Sequence, residues 1–150
     1  MSPAAIELER IINEYLPALQ NIREDSFTYK YAANKWSKKE IVGHLIDSAE
    51  NNIRRCIVAQ YEDNPKIIYN QDKWVGISNY QQWNSKDIIH LWELLNKQFC
   101  SILKNISTEL LQRNCETSEI HSIGWLAEDY IIHLLHHLHV VLDMEPIAYP

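Results

Sequence analysis

Apolar residues recur at alternating three- and four-residue steps over four stretches of this chain, the period of amphipathic helices. In the first, from about Pro3 to Arg23, the stripe is Leu8, Ile11, Ile12, Tyr15, Leu19 and Ile22. Ser2 stands as its N-cap and Pro3 at the first helical position, where a missing N–H costs nothing. Pro17 is expected to kink or break this helix near Asn13 to Leu16, because proline removes a backbone donor and crowds the preceding turn. The second helix has the clearest start. Ser37 and Glu40 spell a capping box, with Trp36 and Ile41 placed as a hydrophobic staple. It is predicted to run to about Tyr61. Ile41, Leu45, Ala49, Ile53 and Cys56 form its apolar arc, with Val42, Ile46 and Ile57 further round.

About 22 residues, Glu62 to Trp83, then show no helical period and contain Pro65 and Gly76. A connection of that length is uncommon in a small domain and often functional. It can also cross the end of a bundle, so the second and third helices need not be adjacent and antiparallel. The third helix is predicted from Ser85, with Asp87 favourable against the helix dipole. Its stripe is Ile88, Trp92, Leu95, Phe99, Ile102 and Ile106. A short turn is expected at Ser107 to Arg113, and a fourth helix from about Ser122 to Asp143.

Composition supports an all-α reading. Three glycines and five prolines are too few for the many tight turns of an all-β domain. The 150 residues match one domain, read here as 1–150, long enough to bury a full core as a four-helix bundle. A net charge of −6 without any basic run weighs against nucleic acid as a partner. No apolar stretch approaches the ~20 residues of a membrane span, and the start lacks a signal peptide's apolar core. Cys56, Cys100 and Cys115 are odd in number and far apart, which fits ordinary structural residues in a reducing cytoplasm.

The histidines change the picture. Four of the seven fall in the fourth helix as His133, His136, His137 and His139. Leu126, Tyr130, His133, His137, Val140 and Met144 make one stripe at the spacing of a bundle's inward seam. Glu128, Asp129, His136, His139 and Asp143 gather opposite, so His133 and His137 are expected inward and the other two in solvent. Imidazoles at i and i+4 can grip one metal ion. The plainer alternative is a pair of hydrogen-bonded core histidines. On the second helix, His44, Ser48, Asn51 and Arg55 form a polar strip beside the apolar arc, which reads as a pocket wall or as a solvated face. Asp47, one turn from His44, is placed to hydrogen-bond that ring and fix its tautomer. Three histidines with a fourth position open describe a catalytic rather than a structural zinc site.

These residues resemble the DinB-like (YfiT-type) family of candidate metalloenzymes. The likeness is carried by GHLIDSAENNIRR, Gly43 to Arg55, preceded by KWSKKEI, and by EDYIIHLLHHLHVV, Glu128 to Val141. The segment from Tyr69 to Trp83 also looks like the loop of one branch. The family pattern of a histidine, an aspartate three residues on, and a later H-x-x-x-H falls here on His44, Asp47, His133 and His137. The resemblance implies an all-α four-helix bundle of up-down-down-up topology, with the long crossover between helices two and three. It implies a divalent metal ion, zinc or nickel, on the three histidines. Relatives look like thiol S-transferases using bacillithiol, mycothiol or glutathione, and some like thiol-dependent isomerases. The chain ends soon after Met144, shorter than many members, so a substrate-binding extension is expected to be absent and the substrate stays open.

The leading expectation is a metal-dependent enzyme, a small-thiol S-transferase or a hydrolase. His44, His133 and His137 would be ligands, Asp47 an orienter or proton acceptor, and Asn51 and Arg55 substrate contacts. A low-molecular-weight thiol and a small electrophilic substrate are the expected partners, with no nucleic acid and no membrane, and a homodimer is allowed. The rival is a non-catalytic, stress-related binding or dimerisation bundle whose metal is structural or absent.

Overall fold

Four long helices form where the periodicity predicts them. In the computed structural model, which describes residues 2–150, the elements in chain order are α1 (Pro3–Gln20), α2 (Glu24–Thr28), α3 (Lys38–Val58), α4 (Gln71–Ser78), α5 (Ser85–Asn105), β1 (Asn114–Glu116), β2 (Ile120–Ser122) and α6 (Ile123–Val141). The caps explain the starts. Ser2 accepts from Ala5, Ser37 and Glu40 close a complete capping box, and Ser122 accepts from Trp125. Each satisfies backbone N–H groups that a helix leaves free. Pro17 falls in the last turn of α1, so the helix continues to Gln20 instead of breaking near Asn13 to Leu16.

Contacts at the helix ends set the directions. The Cys100 thiol donates to the Ala5 carbonyl at 3.3 Å, while Gln20 lies beside Ile89 and His90, so α1 and α5 run antiparallel. Lys38 pairs with Asp143 at 2.6 Å, and Arg55 shares a cavity with Asp129, so α3 and α6 are antiparallel too. The Lys39 amine donates to the Trp83 carbonyl just ahead of α5, which makes α3 and α5 parallel. Tyr15 and His139 meet near the ends of α1 and α6, which therefore also run the same way. The order is up, down, down, up. The parallel pair α3 and α5 requires a crossover, and the segment after α3 supplies it.

That crossover is not featureless. It holds α4, capped by Asn70 and closed by Asn79 in the left-handed region at φ 54°, then a 3₁₀ turn at Tyr80–Gln82. Only Val75 of α4 is buried, so no apolar stripe signals the helix. A β-hairpin pairs Asn114 with Ser122 and buries Cys115, and Lys66 bridges to Glu116 alongside it. Scarce glycine argues against a β domain but leaves room for one short hairpin. The expected turn at Ser107 to Arg113 shrinks to a 3₁₀ turn at Leu110–Gln112.

The core is centred on Trp92, Phe99 and Tyr130, all fully buried. Phe99 and Tyr130 meet edge to face at 4.9 Å. The Tyr130 hydroxyl donates to Asn96 Oδ1 at 2.6 Å, and the Asn96 amide donates to the Trp92 carbonyl, so these buried polar atoms are matched. On α6 the buried residues of the inward seam are Ile123, Leu126, Ala127, Tyr130, Ile131, Leu134, Leu138 and Val141. Val140 and Met144, expected on that seam, are exposed, as is Ile57 of α3. The seam keeps Leu126 and Tyr130 of the predicted stripe and then turns one residue round to Leu134, Leu138 and Val141, which leaves His133 and His137 at the border of the core.

Gly43 sits where Tyr80 folds back on α3, and a Cβ there would overlap the Tyr80 ring. The close approach matters because Tyr80 reaches Asp47 on the same helix. Gly43→Ala is therefore expected to push Tyr80 off α3 and destabilise the protein by about 1–3 kcal/mol, the usual cost of overpacking. A urea midpoint unchanged from the parent would show that the ring moves freely.

Candidate metal centre

His44 is carried by the second turn of α3, where the capping box and flanking apolar arc make a regular helix. Its side chain is 1% exposed. The antiparallel packing of α3 on α6 sets it opposite His133 and His137, which stand one turn apart. The three ring centroids are 4.6, 4.9 and 5.0 Å apart. His44 Nε2 is 3.1 Å from His133 Nε2, and one nitrogen of each ring lies within 4.8 Å of the other two. Nitrogens sharing a tetrahedral ion at ~2.0–2.1 Å are about 3.3 Å from one another, so the His44–His133 pair is already near that spacing. The donor set fits a divalent ion.

Burial makes these rings neutral donors. It pulls the His133 pKa down to about 3, with His137, His44 and His136 adding repulsion. The same burial takes His44 to about 4, with His137 helping, and His137 to about 4, with His136 helping. A neutral imidazole keeps a lone pair for a metal, while a protonated one cannot bind it. His44 Nδ1 is buried without a hydrogen-bond partner.

Asp47 does not serve the His44 ring as expected. Its Oδ1 accepts the Tyr80 hydroxyl, and its Oδ2 is buried without a partner. Tyr80 reaches the carboxylate because Gly43 admits its ring. Burial lifts the Asp47 pKa to about 6, against the pull of the Tyr80 hydrogen bond. Burial and Asp47 in turn push the Tyr80 hydroxyl up. Trp36 and Ile41, expected to staple the start of α3, border one groove, and the Trp36 ring packs 5.0 Å from His44.

Two spaces flank the cluster. His133 borders a cavity of 180 Å³ with Ser48, Asn52, Arg55, Asp129 and Tyr149. His137 borders a more open depression of 430 Å³ with Trp36, Ile41, His136 and Val140, and Gln71 of α4 lines both. Arg55 is thus at the cavity, while Asn51 is buried and donates its amide to the Asp47 carbonyl at 2.9 Å. Of the expected polar strip, Ser48 and Arg55 line the wall, and Asn52 stands there in place of Asn51. Asn52 and Tyr149 carried no spacing signal, since they reach the cavity through tertiary packing. His136 and His139 are half-buried, not solvated. His136 Nδ1 meets the Ile147 carbonyl at 2.5 Å, and His139 bonds the Glu145 carbonyl at 2.7 Å and the Tyr15 hydroxyl at 2.8 Å. They fasten the segment after α6 to the bundle. No helix among the described residues is long and apolar enough to cross a membrane.

Comparison with known proteins agrees with this architecture. A family model described as the DinB superfamily matches residues 7–141. A candidate metal-dependent hydrolase of Oceanobacillus iheyensis is 29% identical over 135 residues, covering 88% of this chain and 76% of its own. Further relatives are matched over only 54% and 62% of their length. YfiT from Bacillus subtilis, a candidate metal-dependent hydrolase with an unusual four-helix bundle topology, superposes with a TM-score of 0.82 at 19% identity. The match covers 93% of this chain and 82% of YfiT. A mycothiol-dependent maleylpyruvate isomerase superposes with a TM-score of 0.73 at 11% identity, over 98% of this chain and 63% of the isomerase. At these identities the two structures establish the fold.

The depressed histidines make the metal-free protein acid-sensitive. Unfolded, the three rings take protons near pH 6.5, and folded only near pH 4 or below. Asp47 acts oppositely, since its folded value of about 6 exceeds the ordinary 3.8. Between about pH 6 and 4 the unfolded chain then holds a net of roughly two extra protons, so stability falls as pH falls. Urea midpoints of metal-free protein should be highest above pH 6.5 and drop steadily towards pH 4. A flat profile across that range would mean the rings are not desolvated.

Proposed function

The chain belongs to the DinB superfamily, and we propose that it is a metal-dependent enzyme that activates a small thiol or a water for attack on an electrophile. The observation that carries this reading is the convergence of His44, His133 and His137, three neutral imidazoles on two helices. Imidazole suits zinc and nickel, and a three-nitrogen set leaves a position for a reactant, as in catalytic zinc sites. A divalent ion there supplies Lewis acidity, enough to bring a water's pKa to ~7 or to deprotonate a thiol. His44 holds the buried side of the cluster, while His133 and His137 border the cavity and the open depression. Reactants can therefore approach from two directions. Asp47, with its pKa lifted to about 6 and its hydroxyl partner Tyr80, can hold or release a proton one turn from His44. Arg55 is the cationic contact offered to substrate in the cavity. The candidate hydrolases among the relatives support the hydrolytic form, and the mycothiol-dependent isomerase with the same fold supports the thiol form.

Protein purified without an affinity tag should hold about one divalent ion per chain. His44→Ala, His133→Ala and His137→Ala should each abolish tight binding, while His136→Gln keeps the metal. In cobalt-substituted protein, one of bacillithiol, mycothiol, glutathione or cysteine should produce a thiolate charge-transfer band. If none does while a water remains exchangeable, hydrolysis is the reaction. Protein that neither retains metal nor binds added zinc or nickel would refute the enzyme reading and leave a non-catalytic bundle.

A further inference from the structure

Two opposite charges line the cavity beside His133 without neutralising each other. Arg55 comes from α3 and Asp129 from α6, and among the described residues neither forms an ion pair. Both residues are half-buried, and opposite charges brought to one cavity wall commonly pair. Here neutral groups hold each one in place instead. Arg55 Nε and Nη2 donate to the Ile67 carbonyl at 3.1 and 3.0 Å, and Nη1 makes a long contact of 3.4 Å to Asn52 Oδ1. Its guanidinium carbon lies 5.6 Å from the centre of the Tyr69 ring. Those bonds use three of the five N–H groups an arginine carries, so two remain. Among the described residues Asp129 accepts only from the Tyr149 hydroxyl, at 3.0 and 2.9 Å, and a carboxylate has further lone pairs to offer. The Tyr149 ring in turn packs edge-on to His133 at 5.1 Å.

A fixed cation and a fixed anion, held apart on one small cavity, are complementary to a molecule carrying both charges. We propose that this cavity binds the ammonium and carboxylate groups of an α-amino-acid-type ligand. Arg55, with Ser48 and Asn52 beside it, takes the carboxylate, and Asp129 takes the ammonium. At 180 Å³ the cavity is below the ~300–1,000 Å³ of pockets that enclose a drug-sized ligand, so it receives a head group only. His133 lies on the same wall, and the remainder of the ligand passes it to reach the three-histidine centre. A phosphate dianion would suit Arg55 alone but would be repelled by Asp129. The inference deepens the function proposed above and rests on it for the chemistry at the histidines, whereas recognition of the head group does not.

Three thiols that differ only in their charges test it in cobalt-loaded protein. L-Cysteine carries both charges, cysteamine lacks the carboxylate, and 3-mercaptopropionate lacks the ammonium. Titrated by the cobalt spectrum, L-cysteine should bind roughly ten-fold or more tightly than either, the scale of one charge-assisted hydrogen bond. Arg55→Lys keeps the charge but loses the fork. It should weaken L-cysteine and 3-mercaptopropionate and leave cysteamine unchanged. Asp129→Asn should weaken L-cysteine and cysteamine and spare 3-mercaptopropionate. The two variant comparisons each follow one thiol across proteins, so differences in thiol acidity cancel there. Three equal affinities, or variants that shift all three thiols alike, would overturn the zwitterion site while leaving thiol activation standing. If no thiol perturbs cobalt, the thiol reading fails by itself, and the head group is then probed with L-alanine on metal-free protein. NMR shifts at His133 and Tyr149 caused by L-alanine, and not by acetate or methylamine at equal concentration, would sustain the site. Silence from all three would end it.

Discussion

Between α3 and α6, three imidazole rings are packed within 5.0 Å of one another and largely shut off from water. Burying polar rings costs about 1–3 kcal/mol for each group left without a partner. Only His44 and His133 meet within hydrogen-bond distance, and His44 Nδ1 has no partner at all. The arrangement therefore persists because the rest of the bundle holds it. Trp92, Phe99 and Tyr130 fill the centre, and both α3 and α6 pack on neighbours that cannot be shifted without opening that core. The same desolvation keeps each ring neutral, with one nitrogen free of its proton, which is the state a metal ligand needs.

The surroundings follow from the need to hold α3 against α6. The capping box fixes where α3 begins, and hence that His44, about two turns further on, faces α6. The crossover folds Tyr80 over Gly43 and gives the Asp47 carboxylate a hydrogen-bond donor. On the far side, His136 and His139 tie the segment after α6 down, which brings Tyr149 to Asp129 and to the rim of the cavity. Four clustered histidines thus divide their work. Two join His44 in the candidate centre, and two anchor the backbone that builds one wall beside it.

Much of this was legible in one dimension, wherever the signal is confined to a turn or two of helix. Ser37 with Glu40, and the i, i+4 spacing of His133 and His137, are local facts of that kind, and so is the stripe on α5. The partnership of His44 with the α6 pair rested on the polar strip that His44 heads and on the family pattern, since no local rule relates residues 89 positions apart. The histidine pair was placed a little too deep, because α6 is apolar round most of its circumference and offers two similar stripes one residue apart. Only packing chose between them, leaving Val140 and Met144 in solvent. Likewise α4 has one buried residue and no period to detect, and the hairpin at Cys115 is too short to alternate visibly. Asp47 was marked as the orienter of the His44 ring, yet its partner is Tyr80, and that contact exists only because the crossover returns to Gly43. Arg55 and Asp129 share a cavity for the same kind of reason. Capping and periodicity are energies of neighbours along the chain, so the sequence by itself determined where the helices lie and which imidazoles are stacked. Which side chains oppose one another across helices depends on how the whole core closes, and the tertiary structure alone decided that.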